Sequence, residues 1–396
     1  MASFHGASTR RSVLISGGGS AGLTLAYWLH HHGLQPTIVE QAPQLRREGY
    51  AIDFAGSGWD VAERMNLIPA LRQGQITAPY FIFKDGAGRT LARLPTAVFQ
   101  RAFQDKMVQT MRPDLEAALY GTIRDTIPIR FSTSIQQIEQ APEQVAVTFT
   151  DGAQETFDLV VGAGGTHSNV RRLVFGDERQ FARYLGYYFA TFPVPNLDHF
   201  EEGAIICLEP DRQATVYPDH HGGYTALLVY RAQDAGHIPA TQRKELLEAH
   251  YAGAGWVIPQ MIASITEETP VYLDSVTQIQ MPRWSDGRIT LVGDAAHCLT
   301  LISGQGASTA MGGAYILAEQ LGKVEDYRAA FARYERRVRP FAEDKQRKAR
   351  RFAKTFVPGS RLGVQLSYLT MKLMFTPLLA RFIGKQFGFD SLLQAT

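Results

Sequence analysis

Cysteine is scarce in this 396-residue chain, where Cys207 and Cys298 are the only two. That number is too few for a disulfide framework and their spacing is not that of a zinc site, so a reducing, cytoplasmic setting is expected, with no metal. Charge of one sign is also missing. Forty Lys and Arg stand against 38 Asp and Glu, and the formal net charge of +2 gives no general attraction to nucleic acid or anionic lipid. Long apolar runs are absent too. The most apolar late stretch, Leu362 to Ile383, is broken by Lys372, Pro377 and Arg381, so an amphipathic covering helix is expected rather than stable membrane insertion. The opening MASFHGASTRRS lacks the apolar stretch of a secretory leader and reads as a loose tail. No internal repeat or low-complexity segment is visible.

What is present is an ordinary globular composition, 45% hydrophobic and 20% charged, long enough to predict two interlocked domains. Val13, Leu14 and Ile15 form a short apolar run before Gly17-Gly18-Gly19, the pattern of a parallel strand buried on both faces. From Ala21 to His32 the apolar residues follow a helical period that Gly33 stops, and Thr37-Ile38-Val39 reads as the next strand. This is a βαβ unit with G-x-G-x-x-G at its turn, where backbone N–H groups and the helix dipole favour a pyrophosphate. Gly17, Gly19, Ser20, Ala21 and Gly22 are therefore candidate dinucleotide contacts, and Glu40, ending the second strand, is placed to accept hydrogen bonds from a ribose.

Two further buried-strand signals, Leu159-Val160-Val161 and Ile289-Thr290-Leu291-Val292, each precede glycines and a helix. A Rossmann-like α/β domain is thus assembled from residues 10–75, 102–178 and 281–325. Residues 179–280, rich in aromatic and β-branched residues, read with 76–101 as an inserted mixed or antiparallel β-sheet for substrate. Residues 326–396 read as C-terminal helices, their crowded Arg and Lys forming a solvated face.

At 293–306 the chain reads GDAAHCLTLISGQG, from a strand end into a helix predicted over Ala307 to Leu321. With GGGSAG, Glu40 and DLVVGAGGTHSNVR at 158–171, it resembles the class A flavoprotein monooxygenases of the para-hydroxybenzoate hydroxylase fold. The stretches AYWLHHHGLQPTIVEQ, YLDSVTQIQMPRW and GAYILAEQL resemble the tetracycline-inactivating branch and its bacterial relatives. The resemblance is dense over the dinucleotide domain and thin over 179–270, where substrate is chosen.

That resemblance implies non-covalent FAD, with Asp294 at the ribityl and pyrophosphate region, Gly304 and Gly306 in close approach, Arg112 on FAD, and Arg46 near the flavin or nicotinamide. It implies NADPH or NADH as reductant, and hydroxylation of an aromatic or polycyclic phenol or enol through a flavin C4a-hydroperoxide, tetracycline-type antibiotics included. A flavin reductase without oxygen insertion, or a flavin-binding protein that only sequesters a ligand, are the alternatives. Two positions depart from the family pattern: Gly164 stands where an aspartate is usual and Leu301 where a proline is. GWVIP at 255–259 resembles part of a halogenase signature, but Ala254 occupies its first tryptophan position. His297 reads as structural, and no catalytic side chain is assigned. Tyr187, Phe189, Tyr217, His220, His221 and Tyr224 are candidates to line the substrate cavity, and the C-terminal apolar helix to close it. A monomer or weak homodimer is expected, with small-molecule substrate and oxygen as partners.

Overall fold

A computed structural model describes residues 11–46, 49–102, 105–197, 200–219, 222–374 and 390–394. Strand Ser12–Ser16 lies between parallel neighbours Gln35–Val39 and Leu159–Gly162. Helices can cover both faces of such a strand, which is why Val13, Leu14 and Ile15 are all apolar and fully buried. The six-stranded sheet has the order 285–286, 289–291, 159–162, 12–16, 35–39, 129–130, parallel except at the terminal hairpin. Parallel pairing puts the carboxyl ends of four strands on one edge. Gly17, Glu40, Ala163 and Gly293, scattered over the sequence, therefore meet there.

Helix Ser20–His31 begins one residue before the predicted start, and helix Gly306–Lys323 extends its prediction at both ends. The two pack together, with Trp28 edge-on to Tyr315 at 4.8 Å. A second sheet of seven strands has the order 272–279, 182–194, 224–231, 212–218, 204–209, 80–84, 90–95. It is mixed, because strand Tyr80–Lys84 comes from an earlier part of the chain and runs parallel to Ala204–Glu209. Its long strand Ala182–Val194 and neighbour Tyr272–Ile279 reach back to the first sheet, where Ile279 N donates to Cys298 O at 3.3 Å.

Helix Tyr327–Phe356 buries Tyr327, Phe331, Tyr334, Val338, Ala342, Ala349 and Ala353, while Arg333, Arg336, Arg347, Lys348 and Arg351 point to solvent. Lys345 departs from the expected solvated face. It falls one turn from Ala342 and Ala349 on the inner side, and its ammonium reaches Asp390 at 3.3 Å. Helix Arg361–Met374 also sits elsewhere than expected. Val364 and Tyr368 pack on Phe83 and Leu208, and the Tyr368 hydroxyl donates to Lys84 O at 2.7 Å while accepting from Leu208 N at 3.0 Å. It covers the far edge of the seven-stranded sheet rather than the cavity described below; the rest of the apolar stretch, to Ile383, lies outside the described residues. Among the described residues no helix is long and apolar enough to cross a membrane, and no group of three potential metal ligands occurs. Cys207 and Cys298 are both free and buried.

Candidate active site

An elongated cavity of about 430 Å³ opens where the carboxyl edge of the parallel sheet faces the seven-stranded sheet. One end is backbone. Gly17 holds φ +124°, and a Cβ there would meet Ala163 O at 2.4 Å, so only glycine lets strands 12–16 and 159–162 close at their ends. Gly22 packs tighter still, because a Cβ would sit 1.9 Å from Gly17 O. Helix Ser20–His31 starts after Gly19 with no side-chain cap, and helix Gly306–Lys323 starts after Gln305 likewise. Ser20, Ala21, Gly306, Ala307 and Ser308 all line the cavity. Two helix N-termini, each with unsatisfied N–H donors and positive dipole ends, thus face one space.

Glu40 closes the turn from the second strand. Its carboxylate accepts from Gly18 N at 2.7 Å and Ala42 N at 2.9 Å. Opposite, Arg112 opens helix Arg112–Gly121, and its Nε donates to Glu116 Oε1 at 3.2 Å. Glu116 is buried and also accepts from the Ser20 hydroxyl at 3.2 Å. The Glu116 carboxylate holds the Arg112 guanidinium above its ordinary pKa. Burial pushes the Asp294 carboxyl up while Arg112 pulls it down, and Asp294 has no side-chain hydrogen bond among the described residues. A half-buried carboxylate with no side-chain donor, facing a large cavity, fits an occupant that brings hydroxyl donors.

The other end is aromatic. Tyr50 meets Phe189 edge-on at 5.7 Å, Phe189 lies 5.7 Å from Tyr272, and Leu227 and Phe356 complete the wall. Between the ends runs the loop Cys298–Gly306, where Thr300 holds φ +91°, a costly conformation for a β-branched residue. On the opposite wall His167 bridges Glu178, 2.9 Å from Nδ1, and Asp274, 3.3 Å from Nε2. Asp274 first and Glu178 second raise the imidazole pKa to about 10. The Tyr272 hydroxyl donates to Asp274 as well, at 3.1 Å.

Of the residues singled out in the sequence, Gly17, Gly19, Ser20, Ala21, Glu40, Arg46, Arg112, Asp294, Gly304, Gly306 and Phe189 line this one cavity. Four do not. Gly22 is turned inward against Gly17. Tyr187 points away, its hydroxyl donating to Ala353 O at 2.7 Å and accepting from Arg231. Tyr217 is buried with its hydroxyl accepting from Ala51 N at 2.9 Å, and Tyr224 packs on Phe200 at 4.8 Å. Tyr187 and Phe189, two positions apart, share one face of the strand and one apolar cluster, but Tyr187 lies farther along it, under Ala353 and Val357, beyond the end of the cavity. His220 and His221 lie outside the described residues. His297 is off the cavity, buried 4.9 Å from Trp284, and burial lowers its pKa to about 4.

Sequence reasoning missed Tyr50, Glu116, His167, Tyr272 and Asp274. Glu116 alone carried a readable signal, the i, i+4 spacing from Arg112. Arg171, buried at the end of the stretch DLVVGAGGTHSNVR, bonds Thr166 O, Glu178 and Ala295 O, tying that stretch to the helix of Asp294.

A parallel sheet with a glycine turn, two open helix N-termini and an aromatic second chamber defines a dinucleotide-binding protein of the flavin type. The chain belongs to the FAD-binding-domain family, whose profile matches residues 10–349. It is 38% identical over 357 residues to an uncharacterized protein of Mycobacterium tuberculosis (strain CDC 1551 / Oshkosh), covering 85% of this chain and 92% of that one. It is 33% identical to a flavin-dependent monooxygenase from an unknown prokaryotic organism, covering 85% and 88%. Its fold matches the crystal structure of the tetracycline destructase Tet(55) with a TM-score of 0.83 and 29% identity, over 97% of this chain and 98% of that one. The chain is thus an oxidoreductase of the flavin-dependent monooxygenase group, with FAD as its cofactor.

Proposed function

We propose that this protein uses NADPH or NADH to hydroxylate an aromatic or polycyclic phenol or enol, a class that includes tetracycline-type antibiotics. The observation that carries this reading is the single cavity joining Gly17 and Asp294, distant in sequence, to the aromatic wall of Tyr50, Phe189 and Tyr272. FAD, when bound, supplies the activation of molecular oxygen and the transfer of one oxygen atom. The chain's own residues do the rest. The uncapped N–H groups of Ser20 and Ala21 would hold the pyrophosphate, Glu40 the adenosine ribose, and Arg112 with Asp294 the ribityl chain. The loop from Thr300 to Gly306, with Leu301 in place of the family proline, would form the cavity wall next to the flavin ring.

The aromatic wall binds a flat substrate and excludes water from the reacting carbon. Asp274 and His167 stand at that wall as the polar groups that orient a substrate hydroxyl. Arg46, exposed at the rim, receives the pyridine nucleotide's phosphate. Gly164 favours a second reading, a flavoprotein that binds ligand but is not reduced by pyridine nucleotide. An aspartate Cβ at that position would meet nothing closer than Ser168 Cα at 3.4 Å, so the change is not forced by packing.

The test is a visible spectrum of the purified protein, followed by NAD(P)H consumption with polycyclic phenols under labelled oxygen. One labelled oxygen atom in the product is the expected result. Consumption without incorporation leaves a reductase, and a yellow protein that oxidises no pyridine nucleotide with any substrate leaves the ligand-binding reading.

A further inference from the structure

We propose that the outward face of helix Arg361–Met374 docks on an anionic phospholipid surface. Leu362, Leu366 and Leu369 are 75%, 61% and 54% exposed. Spaced at i, i+4 and i+7, they form one stripe along the helix, and Leu373 continues it. The opposite side of the helix is fixed. Val364 and Tyr368 are buried, and the Tyr368 hydroxyl is bonded to both Lys84 and Leu208 of the sheet beneath. The leucines therefore cannot rotate inward without breaking those bonds. Apart from Phe352, no other large apolar side chain among the described residues is so exposed, and the stripe is not the scatter of single surface leucines that ordinary proteins carry.

Charge decides the occupant. From Lys345 to Phe389 the sequence holds ten Lys and Arg and no Asp or Glu, although the whole chain carries only +2. Arg351, Lys354, Arg361 and Lys372 are all exposed, and Arg347 and Lys348, also exposed, share the single carboxylate of Asp344. On the helical wheel Arg361 and Lys372 lie on the flank between the leucine stripe and the buried Tyr368, where long stems can carry the charge out to the surface. Two such faces repel each other, which disfavours a second copy of this chain. A nucleic acid would satisfy the charge and leave the leucines in water. A leaflet of anionic lipid satisfies both, with apolar side chains at the acyl boundary and basic ones among the headgroups.

The experiment is flotation of the FAD-loaded enzyme with two vesicle preparations, phosphatidylcholine alone and phosphatidylcholine containing one third phosphatidylglycerol. The wild type is expected to float with the anionic vesicles about tenfold more than with neutral ones, and to detach in about 0.5 M salt. Leu366→Glu with Leu369→Glu is expected to reduce flotation about tenfold with the flavin spectrum unchanged. A second variant, Arg351→Gln with Lys354→Gln, is expected to weaken it and to lower the salt dependence. No flotation with anionic vesicles overturns the proposal. So does undiminished flotation of the leucine variant, equal binding to duplex DNA, or a wild-type dimer that the leucine variant dissolves while vesicles leave it intact.

Discussion

Replacing Arg112 by Ala is expected to damage both the empty protein and its affinity for FAD, through Glu116. The guanidinium Nε is 3.2 Å from Glu116 Oε1, and Glu116 is 6% exposed. In Arg112→Ala its carboxylate keeps only the Ser20 hydroxyl as a hydrogen-bond partner among the described residues. Breaking a fully buried ion pair costs about 3–5 kcal/mol. Arg112 is 36% exposed at its side chain, so water reaches the pair and about 2 kcal/mol is the expected loss here. Glu116→Gln removes the charge while keeping the shape, and costs about 1 kcal/mol. The double variant then loses less than Arg112→Ala alone, because no carboxylate is left stranded. The coupling is expected to be at least about 1 kcal/mol. Chemical denaturation of the FAD-free protein at neutral pH and low salt measures it, and quenching of flavin fluorescence measures affinity. FAD binding is expected to weaken about tenfold or more in Arg112→Ala. Additive losses within about 0.5 kcal/mol would refute the reasoning, since Glu116 would then be stabilised by something other than Arg112.

Asp294→Asn is expected to trade function for stability: burial raises the folded-state pKa, so its charge works against folding at neutral pH. The FAD-free variant should melt higher by a few degrees and bind FAD about tenfold more weakly, and melts with and without FAD show whether both shifts occur together. Gly22→Ala places a Cβ 1.9 Å from Gly17 O, forcing the turn to move; FAD titration should show a loss of about 1–3 kcal/mol, and unchanged affinity would mean the turn is not the binding element. His167 has its pKa raised from 6.5 to about 10 by Asp274 and Glu178. Its stabilising contribution is therefore complete below pH 6.5 and lost as pH rises through about 10. Because His167 is 59% exposed, that contribution is about 1 kcal/mol, and His167→Gln should flatten the wild-type decline of stability across this window.

The sequence by itself determined four strands of the first sheet and the glycine-turn end of the cavity, because those depend on local rules. A strand buried on both faces must be apolar throughout, a turn against a neighbouring strand must be glycine, and a parallel βαβ unit has one handedness. Gly17 and Glu40 were legible for that reason, and Asp294 through the resemblance of GDAAHCLTLISGQG to a known family. The aromatic end was decided by tertiary structure alone. Tyr187 and Phe189 share a strand face, and which of them reaches the cavity depends on where helix Tyr327–Phe356 packs across that face, which no local pattern announces. The His167, Glu178 and Asp274 cluster joins residues up to 107 positions apart. Lys345 turned inward because its place on the buried helix face outweighed its charge once Asp390 came within reach. Spacing along the chain carries backbone geometry, whereas a side chain's neighbours across two sheets are fixed only when the sheets have packed.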